Sequence, residues 1–547
     1  MVSYTGGETK FSISCGEKQL RSSSGQQDNL SVGALETAVL VHKRKGKNVQ
    51  GRILGEEEIE NGLARSFSCK KKWLIVTILC VQQISMNLNA SILGNCFVEL
   101  RQTYGVTETI LSLCQSLFLV AYAFGCELWA PWSEESGRRP TLQWSLGFVN
   151  LWQLPQIFMA AFGKPDQGDS IGAGILFCRI MGGLCSAGGS VTLGIIADMF
   201  DADSQQYAMA ALVCASVMGS IVGPVIGGFL ESFVGGRWVF LAQFVIGLAA
   251  QLLHAIWVPE TRSSVLVAKE ARRRRDASIE QVWTQAELDK TSHLSIDFWK
   301  DAAGIWTRPF KMLAMEPIVT CLSLISGFSD ALIFSFLESL PMIMDQWDFV
   351  PWQRGLCFIS IGIGYLIGWA IWVWDIGRRQ GKRQRFGSTA TPETRLRWLL
   401  YTAPLLPTGM IGFAWTATGP PRHWLVPNFW LALVGIANYA IYGATVDYMV
   451  ASYGPRLSAS ATGGNGFCRD LWAGVSVFYV KDLYSKIGPP GKHLPYGSTV
   501  LAGLAMVLIV PVYLFCFFGA TVRKRSRYAK AIAQGMADPT MTSPDTV

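Results

Sequence analysis

Long apolar segments alternate with shorter polar ones along most of the chain. Six of them, numbered here spans 1–6, cover about residues 73–98, 108–132, 141–162, 173–200, 208–230 and 238–258. Six more, spans 7–12, cover about residues 316–341, 353–374, 398–418, 424–450, 459–480 and 497–519. A helix needs roughly 20 apolar residues to cross the hydrocarbon core of a membrane. The pattern therefore predicts an all-α membrane protein with twelve transmembrane helices.

The polar segments divide the chain into parts. Residues 1–71 are rich in Gly, Ser and Glu without sustained periodicity, which predicts a disordered cytoplasmic tail. We expect residues 72–258 and 316–520 to form an N-terminal and a C-terminal six-helix bundle. Residues 259–315 then form a cytoplasmic linker, and residues 521–547 form a second cytoplasmic tail.

Basic residues in the loops predict the orientation of the spans. They are concentrated at Arg138-Arg139, in the run Arg272–Arg275, between Arg378 and Arg397, and in the C-terminal tail. Because loops rich in Lys and Arg remain on the cytoplasmic side, both termini are expected there. The expected location is the plasma membrane, with the vacuolar membrane as an alternative.

Composition excludes several classes of protein. Half of the residues are hydrophobic and only 16% are charged, which leaves too much apolar surface for a soluble chain of 547 residues. The net charge is +8, but the basic runs flank apolar segments, so no nucleic-acid partner is expected. The thirteen Cys and five His are dispersed and include no CxxC. We therefore expect neither a metal site nor a cofactor.

The loop between spans 2 and 3 contains a short charged motif. It consists of Glu134, Gly137, Arg138 and Arg139 within the sequence Ala-Pro-Trp-Ser-Glu-Glu-Ser-Gly-Arg-Arg. A carboxylate is stabilised at a helix N-terminus, where the helix dipole is positive, and an arginine can form bidentate ion pairs. The motif predicts a latch between helix ends. An ordinary positively charged inner loop is the alternative.

Span 5 carries a glycine motif made of Gly219, Gly223, Pro224, Gly227 and Gly228. Glycines four residues apart form a groove along one helix face, which allows a neighbouring backbone to approach closely. Pro224 removes a backbone donor and bends the helix. We interpret the motif as a hinge-like contact, with plain small-residue packing as the alternative.

These two motifs resemble those of the major facilitator superfamily, in particular its fungal twelve-span drug:proton antiporters and the branch with polyamine and multidrug exporters. Cys178-Arg179, Ala197-Asp198 at the end of span 4 and Pro259-Glu260-Thr261 after span 6 match as well. The resemblance implies the major facilitator fold, in which two pseudo-symmetric six-helix bundles enclose a cavity at mid-membrane. It also implies an ion pair between Arg138 and Asp198 at the inner surface.

The chain departs from this family at three acidic positions. Glu127 in span 2 occupies a position where an apolar residue is expected. Asp330 in span 7 occupies a position that is commonly aromatic in the family. Near the end of span 10, where the branch often has Asn-Tyr-x-x-Asp, this chain has Asp447-Tyr-Met-Val-Ala451.

Ionisable residues within the spans are candidates for a substrate and proton pathway. A charge in a bilayer is costly unless it is paired or hydrated, and Arg179, Asp330, Glu338, Asp447 and Glu127 all lie in apolar segments. Asp330 and Glu338 are eight residues apart and share a helix face. A structural ion pair or a position at the membrane surface is the alternative for each residue.

Further polar residues extend this set. Gln83 and Asn87 are four residues apart in span 1 and either line a cavity or bond to neighbouring helices. Asn465 in span 11 is assigned to the same pathway. The pair Arg469-Asp470 is read equally as an internal ion pair or as part of the site.

The expected function is that of a transporter rather than an enzyme. Gly163–Ser170 nearly spells a phosphate-binding loop, but Asp169 replaces the required Lys, so an ion gradient must supply the energy. The resemblance implies proton-coupled efflux by a monomer whose partners are a small organic molecule, protons and the lipid bilayer. A proton-independent facilitator or importer is the main alternative, and a membrane sensor without transport is a further one. Drugs, toxins, secondary metabolites and polyamines all remain possible substrates.

Overall fold

The structure of the chain is a computed structural model. It describes residues 40–525 except for short gaps at 45–46, 165–166, 278–280, 285–286, 288–295, 387–390 and 490–492. Within these residues, nine helices are long and apolar enough to cross a membrane. Helices at the predicted positions of spans 3, 9 and 11 complete the set of twelve.

The first bundle contains spans 1–6. Their helices have the following bounds: span 1, Cys69–Ser91, extended by a short turn and by Phe97–Tyr104; span 2, Glu108–Glu135; span 3, Arg138–Phe162; span 4, Gly168–Cys185 and Gly188–Met199; span 5, Ala202–Phe233; span 6, Trp238–Trp257. Span 4 is thus interrupted near its middle.

The second bundle contains spans 7–12. Their helices have these bounds: span 7, Pro317–Met344; span 8, Pro351–Cys357 and Ile359–Phe386; span 9, Leu399–Thr402 and Leu405–Thr416; spans 10 and 11, Leu425–Lys486; span 12, His493–Arg525. Spans 10 and 11 are separated by a kink at Gly454, whose φ of 63° is readily adopted only by glycine.

Helix packing repeats between the two halves of the chain. In the first bundle, span 1 packs on spans 5 and 6, span 2 on span 4, and span 3 on spans 4 and 6. In the second, span 7 packs on spans 11 and 12, span 8 on span 10, and span 9 on spans 10 and 12. Each contact in one bundle has a counterpart six spans later, as two pseudo-symmetric bundles require. The bundles meet where span 2 packs on span 11 and where span 5 packs on span 8.

The tail and the linker form a small structured unit. Strand β1 (Leu40–Arg44) pairs antiparallel with β2 (Lys47–Ile53), and β2 pairs parallel with the two-residue strand β3 (Val282–Trp283) of the linker. Beside them, Leu54 shares a small core with residues of the linker helix Ser263–Asp276. Ordered structure therefore begins before residue 72, because the tail contains apolar side chains that the linker buries. Residues 1–39 of the tail and 526–547 lie outside the described residues.

A buried carboxylate stabilises this unit. Glu287 accepts hydrogen bonds from Arg272, at 3.0 Å, and from Arg275 through both of its oxygens. Burial acts to raise the pKa of Glu287, but these arginines outweigh it and hold the pKa below its ordinary value. A second linker helix, Ile296–Met315, leads directly into span 7.

Candidate functional site

Arg138 and Asp198 form the expected ion pair. Arg138 Nε lies 3.2 Å from Asp198 Oδ2, and both side chains are largely buried. Arg262, just after span 6, approaches the same carboxylate at 3.7 Å. Because these residues follow spans 2, 4 and 6, they mark one face of the molecule, which also carries both described ends of the chain. We call it the terminal face and the opposite one the distal face.

Glu260 provides the helix-capping carboxylate at the terminal face. Its side chain accepts hydrogen bonds of 3.0 and 3.1 Å from the backbone N–H groups of Arg138 and Arg139, which begin span 3. Glu134, to which we assigned an acidic role in this motif, is half-exposed in the same turn. Gly137 has a φ of 104°, and a Cβ there would collide with Glu260. The motif is therefore a latch, but its capping carboxylate comes from the end of span 6.

Asp447 occupies the corresponding place in the second bundle. It lies at the end of span 10, forms a short ion pair with Arg395, and lies 3.9 Å from Arg379. The loop after span 8 is also bound to span 12 by the Arg523–Glu393 pair, at 2.6 Å. Asp447 thus has the structural ion pair that was the alternative to a role in the substrate pathway.

A buried charge cluster lies deeper between the bundles. Arg469 Nε of span 11 lies 3.6 Å from Asp330 of span 7 and 3.8 Å from its neighbour Asp470. Its guanidinium group stacks 3.9 Å from the centroid of the Tyr442 ring. Arg469 Nη1 is buried without a hydrogen-bond partner among the described residues. Arg469 and Asp470 therefore form an ion pair within a cluster that includes Asp330.

A small cavity borders this cluster, and we call it the Arg469 cavity. Residues from both bundles line it, among them Tyr122, Glu127, Ser190, Tyr442, Arg469 and Asp470. The Glu127 carboxylate is buried and lies against Gly463 of span 11, where an added Cβ would be 2.7 Å from Oε1. Glu127 and Asp470 thus face one space from opposite bundles.

Glu338 borders a different cavity. This second space, the Glu338 cavity, lies toward the distal face and is also lined by Gln115, Glu231, Arg354 and Pro224. Glu338 and Asp330 share a helix, but Glu338 lines this cavity whereas Asp330 contacts Arg469 in the buried charge cluster. Their predicted joint role in one pathway is therefore not matched by a common site.

The other polar candidates bond mainly within the first bundle. Gln83 donates to Thr192 of span 4 at 2.6 Å, and Asn87 donates to Ser216 of span 5 at 3.2 Å. Gln83 and Asn87 of span 1 thus bond to neighbouring helices, which was one of the two interpretations of these residues.

Asn465 of span 11 is fully buried, and neither atom of its amide has a hydrogen-bond partner among the described residues.

Arg179 lies at the junction of three helices. Its guanidinium group donates to the backbone and side-chain oxygens of Asn89, at 2.9 and 2.8 Å, and lies 3.9 Å from the Phe118 ring centroid. No carboxylate lies within ion-pair distance of it among the described residues. Arg179 thus connects spans 1, 2 and 4, and its place in the substrate and proton pathway stays a prediction.

The span 5 glycines make two kinds of close contact. Gly219, Gly223 and Gly227 lie against span 1 and its extension, so they pack helices within the first bundle. Gly228 instead lies against Pro351 of span 8, and Pro224 lies against Gly355 of the same span. The motif is therefore also a contact between the bundles on the distal side.

The bundles touch on both sides of the Arg469 cavity. Toward the distal face, Ser116 donates to the Gly474 carbonyl at 2.7 Å. Toward the terminal face, Arg383 of span 8 pairs with Asp203 of span 5 at 2.8 Å. Such paired contacts are what alternating access by rocking bundles would break in turn.

Comparison with known proteins agrees with this architecture. The family model described as Major Facilitator Superfamily matches residues 79–477. The cercosporin MFS transporter of Cercospora nicotianae is 30% identical over 488 residues, which cover 87% of this chain and 89% of that protein. An MFS-type efflux pump of Trichophyton rubrum is 29% identical over 476 residues, covering 85% and 75% of the two chains.

Solved structures show the same fold. The xylose transporter XylE of E. coli, in a partially occluded inward open conformation, aligns with a TM-score of 0.56 at 13% identity. The alignment covers 80% of this chain and 97% of that one. Together with the family match over most of the sequence, this shows that the chain belongs to the major facilitator superfamily and is a membrane transporter, not an enzyme.

Proposed function

We propose that the protein exports a small organic molecule in exchange for protons by alternating access. The observation that supports this proposal most directly is the imbalance of charge at the Arg469 cavity. Asp470 and Glu127 line the cavity together with Arg469, and a third buried carboxylate, that of Asp330, lies 3.6 Å from the same guanidinium group. One guanidinium group cannot neutralise three carboxylates, and an uncompensated buried charge is costly. Protons or a substrate must supply the remaining positive charge.

This imbalance provides a mechanism for exchange. Arg469 contacts both Asp330 and Asp470 but can balance only one of them. We assign that role to Asp330, because Asp470 and Glu127 line the cavity and can take up protons when it opens to the acidic side. On the opposite side the substrate displaces those protons and compensates the carboxylates in their place. The two ligands therefore compete for the same charges, and competition for one site couples their movement in opposite directions.

The direction of transport rests on the relatives and on charge. One relative is named an efflux pump, and a protein of Aspergillus fumigatus that is 28% identical over 465 residues is named a multidrug transporter. The terminal face carries the basic loops, so we propose that it faces the cytoplasm. We propose the plasma membrane as the location, as for a pump that exports its substrate from the cell. A membrane potential of 100 mV then supplies about 2.3 kcal/mol for each charge moved.

Reconstitution tests this proposal. Purified protein in liposomes should move rhodamine 6G, a fluorescent organic cation, when a pH gradient is imposed. The movement should stop when the gradient is collapsed by an ionophore. A proton-independent facilitator would instead equilibrate the dye at the same rate with and without the gradient, and that result would refute proton coupling. Empty liposomes control for passive movement of the dye.

A further inference from the structure

A cluster of aromatic rings lies where span 2 meets span 11, next to residues that line the Arg469 cavity. Three rings form it: Phe124 of span 2, Phe467 of span 11, and Phe310 of the linker helix Ile296–Met315. The Phe124 and Phe467 ring centroids are 5.0 Å apart, and those of Phe310 and Phe467 are 4.8 Å apart. Both contacts are edge-to-face. We call these three residues the aromatic seam.

Span 2 has its cavity side and its outer side on opposite faces. Tyr122 and Cys126 line the Arg469 cavity. Phe124, Leu128 and Trp132 follow one another at intervals of four residues and are 48%, 46% and 51% exposed, which is the periodicity of a lipid-facing helix stripe. Phe124 is therefore the member of the aromatic seam that faces the membrane.

Glu127 lies at the boundary between these two faces. Successive residues of a helix are about 100° apart, so Glu127 is only about 60° around the helix from Phe124. Glu127 lines the cavity, and only 6% of the residue is exposed. The Glu127 carboxylate thus lies next to the lipid-facing Phe124 ring, on the side toward the cavity.

Span 11 contributes little side-chain volume next to the aromatic seam. Gly463 lies against the Glu127 carboxylate, and a Cβ on Gly464 would lie 2.9 Å from the Pro309 carbonyl of the linker helix. Gly466 lines the cavity, and a Cβ there would meet nothing within 4 Å. Three of the four residues from 463 to 466 are therefore glycines, and Phe467, the span 11 ring of the aromatic seam, follows them directly.

The aromatic seam divides between the two bundles. Only Glu316 separates the linker helix from span 7, and its carboxylate accepts a 3.0 Å hydrogen bond from Tyr453 of span 10. Phe310 is therefore attached to the second bundle and moves with Phe467. Phe124 moves with the first bundle. Any rocking that separates spans 2 and 11 opens the seam between Phe124 and Phe467.

We infer that the aromatic seam is a lateral entrance, through which an amphiphilic cation passes from the lipid bilayer into the Arg469 cavity. The apolar body of such a molecule dissolves in the bilayer and slides between the rings, while its positive charge meets Glu127 directly behind them. Aromatic rings accept a passing cation on their faces. The inference rests on the proposed function in so far as the Arg469 cavity is taken as the transport site.

Binding kinetics in lipid nanodiscs test the entrance. Rhodamine 6G partitions into lipid, and its association with the full-length protein is followed by stopped-flow fluorescence polarisation. Phe124→Ala widens the seam without touching the cavity, so association and dissociation should both accelerate while Kd stays unchanged. Leu128→Ala, one turn away on the same lipid-facing stripe, is the matched control and should leave both rates at the wild-type value.

A second pair of variants tests whether a ring added beside the proposed entrance obstructs it. Gly466→Phe places a ring in the open space beside Gly466, between the aromatic seam and the cavity, and should slow association about tenfold, within the roughly one to three decades seen among variants of one site. Gly503→Phe adds the same ring in open space on span 12 and should change nothing. Association rates for Phe124→Ala and Gly466→Phe that both equal the wild-type rate would overturn the entrance.

The proposed function is judged separately, because these rates are measured without a pH gradient. The Phe124 and Gly466 variants could show altered rates while the wild type shows no gradient-driven transport. That combination would refute proton coupling and support the proposal of a lateral entrance. If the wild-type protein does not bind rhodamine 6G at all, the assignment of an amphiphilic cation is wrong.

Discussion

A methyl group added to Gly228 should push the two bundles apart on the distal side. Gly228 of span 5 and Gly355 of span 8 each lie against a carbonyl of the other bundle. A Cβ on Gly228 would be 2.7 Å from the Pro351 oxygen, and a Cβ on Gly355 would be 2.6 Å from the Pro224 oxygen. Both partners are backbone atoms, which cannot rotate away as a flexible side chain can.

The size of the effect follows from this geometry. Ordinary contact begins at 3.4 Å, so the Gly228→Ala methyl group requires an extra separation of 0.7 Å at Pro351. Overpacking of this kind costs about 1–3 kcal/mol. The cost disappears when the distal side opens, so it acts on the equilibrium between the closed and the distal-open states. A coupling of about 1–3 kcal/mol changes that ratio roughly 5- to 150-fold.

Distances between two spin labels, measured by electron paramagnetic resonance, report this shift. Labels at Lys164 and Ser485, which are both exposed on the distal side of different bundles, should move to longer distances in Gly228→Ala. Gly503→Ala, in open space, is the control. Gly223→Ala meets Ser91 of span 1 within the first bundle, so it should lower thermal stability without lengthening the distance. An unchanged distance distribution in Gly228→Ala would refute the assignment of this contact to the distal gate.

Three further predictions concern ionisable groups. Arg138→Asp should impair transport, and adding Asp198→Arg should restore only part of it because Arg262 then faces a second arginine; dye efflux from liposomes measures both. Arg179→Ala should lower the unfolding free energy by about 1.5–3 kcal/mol, the worth of a charged hydrogen bond, seen as a lower Tm. The depressed pKa of Glu287 means that its stabilisation is present above its ordinary value of 4.5 and is lost as the pH falls through the folded value. Hydrogen-exchange protection of the linker unit should therefore decrease at acidic pH in the wild type, but not in Glu287→Gln.

Hydrophobic segmentation was sufficient to predict the twelve spans, but not their internal breaks. The length and apolar content of a segment report whether it can cross a membrane, and nothing in them marks the interruption of span 4 after Cys185. Spans 3, 9 and 11 are less apolar or shorter than the other nine. In span 3, for example, Asn150 donates to Gln251 of span 6 at 2.8 Å. Polar residues that are satisfied by a neighbouring helix lower the hydropathy of a span without removing it from the membrane.

Predictions at the site succeeded where a local motif fixed the partner. The Arg138–Asp198 pair was predicted because the resemblance of the two motifs to those of the major facilitator superfamily implies it, and because both residues lie at the same end of their spans. The capping role of Glu260 was not predicted, because its partner Arg138 is 122 positions away. Glu127 and Asp470 were recognised as buried charges, but their common cavity depends on how spans 2 and 11 face each other. That arrangement is a property of tertiary packing and leaves no periodic signal in the sequence.

The central claim is that protons and substrate compete for the carboxylates of the Arg469 cavity. Its most direct test is proton release on substrate binding, measured with a pH indicator in weakly buffered solution near neutral pH. The account predicts that rhodamine 6G releases protons from the wild-type protein. It also predicts that Glu127→Gln combined with Asp470→Asn binds the dye more weakly and releases fewer protons per bound molecule. Dye binding by the wild type without a pH change, or equal release by the double variant, would contradict the account.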